Sequence, residues 1–290
     1  MQQPTILEQS YSPLNEAWRM FIRNRAALLG LILFIGVLLF SLVGPYLYTI
    51  DPFKIVWAPL TPPGDADALL LGTDYLGRDI LAGLIDGGDA TLLVGAIAAA
   101  LTVFIGVVIG AIAGYYGGWI DEVLMRVTEF FQVLPPLLFA MVIVALFSPS
   151  LLTIAIAIGV VSWPQTARLT RAEFFRIKNL EYVSAVRSIG VGDWTIIWSV
   201  ILPNALPPLI VSATLVVGVA ILFEAGLSFL GLGDPNVVSW GSMIGYNRPY
   251  ILDAWWTVAI PGIAIFVTVL SISLIGDGLN DAFNPKLRER

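Results

Sequence analysis

The sequence contains neither cysteine nor histidine in its 290 residues. The absence of cysteine excludes disulfide bonds, thiolate metal sites and a cysteine nucleophile. The absence of histidine removes the side chain that most often serves as a general base or as a transition-metal ligand. No Gly-Lys dipeptide occurs, so the chain has no phosphate-binding loop of the Walker type. We therefore predict no metal site, no catalytic residue and no cofactor on this chain, and we do not expect an enzyme.

Charged residues are also scarce, at 12% of the chain, whereas 58% of the residues are hydrophobic. A soluble domain could not bury so much apolar surface, and the composition is typical of a polytopic membrane protein. Six apolar stretches are long enough to cross a hydrocarbon core of about 30 Å. We therefore predict an all-α fold with six transmembrane helices. The predicted spans are residues 26–48, 90–116, 123–147, 151–170, 206–227 and 255–275.

Lysine and arginine are distributed unevenly between the two sides of these spans. Cytoplasmic loops are rich in these residues, and with six spans both termini lie on the same side. We therefore predict that both termini and the segment 178–203 are cytoplasmic. The residues on the outer side are Lys54, Arg78 and Arg248. Those on the inner side are Arg19, Arg23, Arg25, Arg126, Arg168, Arg171, Arg176, Lys178, Arg187, Lys286, Arg288 and Arg290.

The segment before the first span, residues 14–25, mixes apolar side chains such as Trp18 and Phe21 with basic ones such as Arg19 and Arg23. This pattern is typical of an amphipathic helix that lies along the membrane surface. The segment can also be read as the charged flank of the first span, which leaves the topology unchanged.

A polar segment, 181–203, separates the fourth and fifth spans and reads EYVSAVRSIGVGDWTIIWSVILP. Its first nine residues favour a short helix, with Val183, Val186 and Ile189 at three-residue spacing on one side. Gly190 is placed to end this helix, because glycine enters the left-handed cap conformation at low cost. A helix this short cannot span a bilayer, so it must lie on the membrane surface or dock onto a partner.

The spacing of this segment resembles the cytoplasmic coupling loop of bacterial ABC importer permeases. That loop reads Glu-Ala-Ala, three residues, Gly, nine residues, then Ile-x-Leu-Pro. Ala185, Gly190, Leu202 and Pro203 match it, whereas Ser184 stands where the glutamate is usual.

Two further motifs are similar to the dipeptide and oligopeptide subfamily of these permeases. LGTDYLGRD at 71–79 resembles the signature before the transport core in the shorter of the two paired permeases, and the extra span at 26–48 is also similar to that subunit. GLSFLGLG at 226–233 resembles an outward-facing re-entrant or surface segment. The resemblance implies the type I ABC importer permease fold with a cytoplasmic coupling helix, and ATP-driven import of di- or oligopeptides by alternating access.

The resemblance also implies the partners. They are a second homologous permease, two nucleotide-binding ATPase subunits that hold ATP and Mg²⁺, an extracytoplasmic substrate-binding protein and the lipid of the bacterial inner membrane, with no nucleic acid. Glu181 lies one helical turn before Ser184 and is placed to supply the missing carboxylate. The residues assigned to the ATPase contact are Glu181, Tyr182, Ser184, Ala185, Arg187, Gly190, Leu202 and Pro203.

The predicted spans and loops divide the chain into five parts. They are a cytoplasmic tail and amphipathic helix (1–25), the first span (26–48), an extracytoplasmic loop (49–89), the permease core (90–277, with the coupling loop at 178–203) and a cytoplasmic tail (278–290).

Polar residues near prolines in the spans are candidates to line a pathway. Proline removes a backbone donor and kinks a helix, so Pro135, Pro136 and Pro164 are expected to interrupt the third and fourth spans. Kinks are tolerated where a cavity or a neighbour satisfies the freed carbonyl groups. Such polar residues can instead serve only to bond to a neighbouring helix. The candidate pathway residues are Gln132, Ser162, Gln165 and Glu224.

Gly106, Gly110 and Gly114 fall four residues apart in the second span. Small residues at this spacing allow helix backbones to approach closely in lipid. We predict a role in helix packing rather than in contact with the solute.

Two other functions stay open from the sequence. A nickel or other small-solute ABC importer permease shares these motifs, although the absence of His and Cys disfavours a metal-coordinating pathway. A secondary transporter belongs to a different class, and the scarcity of charged residues at membrane depth argues against a carrier built on buried carboxylates. Transport by the isolated chain under an ion gradient would favour the secondary transporter.

Overall fold

The computed structural model describes residues 13–65 and 69–283, and the chain is mostly helical in these ranges. Two isolated backbone bridges occur there, and no strand. This confirms the predicted all-α fold. The helices are α1 (Pro13–Arg23), α2 (Arg25–Leu47), α3 (Ile80–Tyr116), α4 (Gly118–Val133), α5 (Pro136–Phe147), α6 (Leu151–Lys178), α7 (Glu181–Ser188), α8 (Asp193–Thr195), α9 (Leu202–Leu227), α10 (Trp240–Asn247) and α11 (Trp256–Phe283). Shorter helical turns are π-helical at Ile196–Ile201 and Ser228–Leu232 and 3₁₀ at Arg248–Tyr250.

Five helical stretches of the described chain are long and apolar enough to cross a membrane: α2, α3, α6, the run from α8 through α9, and α11. α4 and α5 are bent by 85° relative to each other, which is the geometry of a broken span or of a re-entrant loop. The break falls at the predicted proline pair. Leu134 is extended there, with ψ at 129°, as is usual for a residue that precedes proline. Counted as one span, the pair gives the predicted six.

The second span starts earlier than the sequence predicted. α3 begins at Ile80 rather than at residue 90, so the loop predicted for 49–89 is shorter. Asp79 caps the first turn, because its carboxylate accepts a hydrogen bond from the backbone N–H of Leu81 at 2.8 Å. Asp86 and Asp89 follow this start and interrupt the apolar pattern, so hydropathy did not indicate that the helix begins at Ile80.

α6 runs without interruption through Pro164 to Lys178, although the sequence predicted a break at this proline and an end near residue 170. The last turns of the helix persist because Phe174 and Ile177 are buried in an apolar cluster with the end of α3. Tertiary packing therefore stabilises a helix whose final turns are too polar to be recognised as a span.

The fifth span also starts earlier than predicted, since α8 and the π-helical turn run directly into α9. Pro203 therefore lies inside a continuous helical run, directly after the π-helical turn. α11 likewise continues to Phe283, beyond the predicted end of the core at residue 277.

α3 and α6 pack closely, and the three predicted glycines lie at their interface. A Cβ on Gly106 would lie 2.6 Å from a threonine Cβ of α6. A Cβ on Gly110 would lie 2.3 Å from the carbonyl oxygen of Ala167, and one on Gly114 would lie 2.6 Å from that of Arg171. Side chains at these three positions would therefore hold the two backbones apart.

The helices alternate in direction, so the bundle has two ends. One end, here the α7 end, holds α1, the start of α2, α7 and the final turns of α3, α6 and α11. At this end Asn24 donates a hydrogen bond to Asp281 of α11 at 3.0 Å. The opposite end, here the α10 end, holds α10 and the start of α3. There the hydroxyl of Tyr48 donates to the carboxylate of Asp79.

The predicted amphipathic helix is present as α1 and stops at Arg23 because Asn24 caps α2. Phe21 is buried against α2 and α11, whereas Trp18 is largely exposed. Contact of α1 with the membrane surface stays a prediction. Residues 1–12 and 284–290, which include most of the predicted tails with Lys286, Arg288 and Arg290, lie outside the described residues.

Candidate functional site

The predicted coupling helix is present as α7 between α6 and α9. Val183 is fully buried in an apolar cluster with Phe174 and Ile177 of α6, and this contact fixes α7 to the bundle. The opposite side of the helix is exposed and carries mostly small or polar residues, which leaves room for a partner to approach closely. The assigned coupling residues on this side are Glu181, Tyr182, Ser184 and Ala185.

Gly190 follows α7 with φ at +83°, in the left-handed region that favours glycine. Its backbone N–H donates to the carbonyl oxygen of Arg187 at 3.0 Å. A Cβ at this position would meet no atom of the described residues within 4 Å, so glycine is required here by the backbone conformation. Ile189 is 79% exposed, contrary to the expectation that it shares the buried side of Val183, because the chain leaves the helix at this residue.

Tyr115 at the end of α3 connects the coupling loop to the bundle, a contact that no sequence pattern indicated. Its side chain is buried and its hydroxyl donates to Asp193 Oδ1 at 2.5 Å. Arg187 donates to the same hydroxyl oxygen at 3.4 Å, and its guanidinium lies 5.6 Å from the ring centroid. Lys178 donates to the backbone carbonyl of Tyr115. Arg187, which was assigned to the ATPase contact, thus contacts the bundle and is also exposed, and its role at the ATPase stays a prediction.

Replacing Tyr115 with phenylalanine should loosen the coupling loop without unfolding the bundle. The ring stays buried, but Asp193 and Arg187 lose a shared partner, at a cost of about 1.5–3 kcal/mol for a hydrogen bond to a charged group. We expect faster amide hydrogen exchange in residues 181–195 and unchanged exchange in α3, measured by mass spectrometry. Tyr116→Phe is the matched control, since this neighbouring ring is half exposed. Equal exchange in the two variants would contradict the assignment.

Leu202 and Pro203 lie in the first turn of α9. Leu202 is half-buried in the same apolar cluster as Val183, and Pro203 is exposed. Both residues therefore lie within a continuous helical run, and Leu202 belongs to the apolar cluster that holds Val183 of α7. Their role in coupling stays a prediction.

A cavity of about 540 Å³ lies at mid-depth of the bundle, between α3, α4, the start of α5, α6, α9 and α11. Three of the four predicted pathway residues, Gln132, Ser162 and Gln165, line it. No described charged residue lines this cavity, so it can solvate a polar solute without offering it a fixed charge. Gln132 itself accepts a hydrogen bond from Arg168 at 2.8 Å. Three lining hydroxyls are buried without a hydrogen-bond partner in the described chain: those of Thr102, Ser162 and Thr166.

Glu224, the fourth predicted pathway residue, does not line this cavity. Its side chain is fully buried, and its Oε1 accepts a hydrogen bond from Ser228 at 2.7 Å. The hydroxyls of Thr91 and Ser239 lie close to the same carboxyl group, while Oε2 has no hydrogen-bond partner within the described residues. Glu224 therefore faces α3 and the segment before α10 rather than the cavity.

Replacing Ser162 with alanine should leave the stability of the protein unchanged or slightly raised, because the buried hydroxyl has no hydrogen-bond partner among the described residues. Ser239→Ala is the contrasting variant. Ser239 caps α10 by accepting a hydrogen bond from the N–H of Ser242 at 3.2 Å, and loss of such a cap costs about 1 kcal/mol. Thermal unfolding followed by tryptophan fluorescence compares the two, and equal destabilisation would show that the Ser162 hydroxyl has an essential partner.

Two family models match this chain. Residues 106–289 match the family described as binding-protein-dependent transport system inner membrane component. Residues 12–63 match the N-terminal transmembrane domain of oligopeptide transport permease C. The first match contains α7 and every cavity-lining residue except Thr102 of α3, and the second contains α2.

Curated relatives match nearly the whole chain. The di/tripeptide transport system permease protein DppC of Pseudomonas aeruginosa is 41% identical over 285 residues, which is 96% of this chain and 93% of that protein. The dipeptide transport system permease protein DppC of Haemophilus influenzae is 40% identical over 284 residues, 96% of both. The glutathione transport system permease protein GsiD of Pectobacterium atrosepticum is 34% identical over 287 residues, 98% of this chain and 95% of that protein.

Solved structures agree in fold. A subunit of the MetNI methionine ABC transporter in an inward-facing conformation superposes with a TM-score of 0.58 at 20% identity, over 67% of this chain and 93% of that chain. At this identity the likeness supports the fold alone. The predicted resemblance is confirmed by the family matches and by identity of about 40% over nearly the full length. The chain therefore belongs to the family of binding-protein-dependent transport system inner membrane components, and it is a membrane permease subunit.

Proposed function

We propose that this chain is one permease of an ATP-driven importer for short peptides and forms half of the translocation pathway. The observation that carries the proposal is α7, a short helix fixed to the bundle on one side by Val183 and exposed on the other. An exposed helix at the end of a transport bundle is suited to receive force from a partner. The peptide substrate is supported by the relatives, which are named as di/tripeptide and dipeptide permeases.

The partners follow from the family and from what the chain lacks. The family is named for its dependence on a binding protein, and we assign that protein to the outer face. The sequence has no Walker loop, so we assign ATP and Mg²⁺ to two separate ATPase subunits, one of which contacts α7. A second homologous permease would complete the pathway.

We place the α7 end in the cytoplasm, with both termini. Arg176 and Lys178 lie at the end of α6 and Arg187 lies on α7, while Lys54, Arg78 and Arg248 belong to the α10 end. This charge asymmetry supports the orientation by the positive-inside rule.

A movement of α7 can be transmitted to the residues that line the cavity through two helices, α3 and α6. Val183 packs on Phe174 of α6, and Arg187 contacts Tyr115 of α3. The same two helices line the cavity about half-way along their lengths. A displacement of α7 by closure of the ATPase pair would therefore shift two walls of the cavity together, which is what alternating access requires.

The experiment is to tag the chain, extract it gently from its native membrane and identify the proteins that co-purify by mass spectrometry. We expect a second permease and one or two ATPases with Walker motifs. The complex in proteoliposomes with its binding protein should take up labelled L-alanyl-L-alanine only when ATP is present on the α7 side.

Recovery of the chain alone, moving solute under an ion gradient without ATP, would contradict the proposal and favour a secondary transporter. ATP-driven uptake of nickel with no uptake of peptides would instead favour the small-solute importer.

A further inference from the structure

A second cavity, of about 310 Å³, opens at the α10 end between the 69–79 loop, the 234–239 loop and α10. Its size is at the lower end of the range for small-ligand pockets, about 300–1,000 Å³. The two polar walls are joined directly, since the backbone N–H of Tyr75 donates to Asn247 Oδ1 at 3.1 Å. The cavity therefore lies between segments held together by a tertiary hydrogen bond.

A cationic group and an anionic group line this cavity without pairing with each other. Arg78 takes part in none of the ion pairs found among the described residues. Its Nε–H is buried without a hydrogen-bond partner there, and its guanidinium lies 5.6 Å from the ring centroid of Phe53. A guanidinium in this state is suited to bind a carboxylate.

Asp74 is held rigidly in the same wall. Its Oδ1 accepts the backbone N–H groups of Leu76 and Arg78, both at 2.8 Å, and Oδ2 takes part in neither bond. The other lining carboxylate, Asp79, is already used by Leu81 and Tyr48. Asp74 is therefore the anionic group that remains able to receive an ammonium.

Aromatic rings complete the site. The ring centroids of Tyr75 and Tyr246, which both line the cavity, lie 6.5 Å apart, and Tyr75 stacks on Tyr250 at 5.8 Å. Tyrosine faces attract ammonium groups and also pack against small apolar side chains.

We propose that this outer-end cavity is a binding site for a short zwitterionic peptide, with its carboxylate at Arg78 and its ammonium at Asp74 and the tyrosines. The inference rests on the proposed function for the class of solute, but it concerns a site separate from the mid-depth cavity. It would hold a peptide that has left the binding protein before the peptide enters the pathway.

The test uses the permease–ATPase complex in lipid nanodiscs without its binding protein. Binding of labelled L-alanyl-L-alanine is measured by equilibrium dialysis, in competition with its C-terminal amide and its N-acetyl derivative. We expect the free dipeptide to bind and both derivatives to compete poorly. Arg78→Gln and Asp74→Asn should each weaken binding at least about tenfold, as expected for the loss of a charge-assisted contact.

Arg248→Gln is the matched control, because this arginine also lies at the α10 end but stacks on Phe229 at 5.3 Å and does not line the cavity. It should bind the dipeptide as the unmodified complex does. Binding that is unchanged in Arg78→Gln, or equally strong for the C-terminal amide, would overturn the site.

The carboxylate that binds Arg78 could instead be an acidic side chain of the binding protein. Measuring the association of the complex with the binding protein distinguishes this from binding of the peptide. If Arg78→Gln weakens association with the binding protein while dipeptide binding is unchanged, Arg78 is a protein contact and the proposal fails. If the complete system takes up the dipeptide with ATP but the complex shows no binding at this cavity, only the site is wrong. If no peptide is taken up at all, the proposed function itself is wrong.

Discussion

Replacing Gly110 with alanine should prevent the permease from folding stably. The added Cβ would lie 2.3 Å from the backbone carbonyl oxygen of Ala167 and 2.6 Å from the Cβ of Thr170. A backbone atom cannot rotate away as a side chain can, so α6 would have to move away from α3. Overpacking of this kind costs about 1–3 kcal/mol, and here it separates two helices that line the mid-depth cavity. We expect a lower yield of monodisperse protein and a lower melting temperature, measured by size-exclusion chromatography after heating.

Gly36→Ala is the control for this variant. Gly36 lies on an exposed face of α2, and a Cβ there would meet nothing within 4 Å in the part of the chain that the structure describes. Because alanine has a higher helix propensity than glycine, by about 1 kcal/mol in a helix interior, this variant should be as stable as the parent or more stable. If Gly110→Ala behaved like Gly36→Ala, the close packing of α3 on α6 would be wrong.

Replacing Gly190 with proline should abolish peptide uptake while leaving membrane insertion intact. Gly190 has φ at +83°, whereas proline fixes φ near −65°. Proline also removes the N–H that donates to the carbonyl oxygen of Arg187 at 3.0 Å. The chain would therefore leave α7 in a different direction, and the exposed side of α7 would no longer face its partner in the same orientation. ATP-dependent uptake by proteoliposomes of the complete complex measures the effect, with expression and membrane fraction checked by immunoblot.

Ala185→Arg tests the same surface without disturbing the backbone. Ala185 is exposed on α7, so the bundle tolerates a longer side chain there, but a close partner would not. We expect uptake to be lost here too. Gly192→Ala, two residues beyond Gly190, has an ordinary φ of −67° and open space around it and should transport normally. Normal uptake by Gly190→Pro or Ala185→Arg would refute the coupling assignment.

The sequence predicted the features that depend on local chemistry. The break between α4 and α5 follows from the Pro135-Pro136 pair, and the end of α7 follows from Gly190. Hydrophobic length located the spans, because a helix in lipid must satisfy its own backbone and be apolar for about 20 residues.

Helix boundaries were predicted less well, because packing rather than hydropathy sets them. α3 starts at Ile80 and α6 ends at Lys178, and in both cases the extra turns contain charged residues. Pro164 did not interrupt α6, since the local cost of a proline is small compared with burial of the helix against α3.

The contacts of the site could not be predicted from local patterns. Tyr115 reads as one of two adjacent tyrosines at the end of a span, and its partners Lys178, Arg187 and Asp193 are distant in sequence. Arg78 and Tyr75 are likewise distant in sequence from α10, and only the tertiary structure brings them close to it.

The most direct test of the account uses the absence of cysteine from the chain. Ala185→Cys places a single thiol on the exposed side of α7, and Leu252→Cys places one at the opposite end, where Leu252 is 95% exposed. Each is labelled with a maleimide photo-crosslinker in native membranes, and the adducts are identified by mass spectrometry. We expect Ala185→Cys to capture a subunit with Walker motifs and Leu252→Cys to capture none. The claim that α7 couples this permease to an ATPase would be contradicted by either of two results. Ala185→Cys could capture lipid alone, or Leu252→Cys could capture the ATPase.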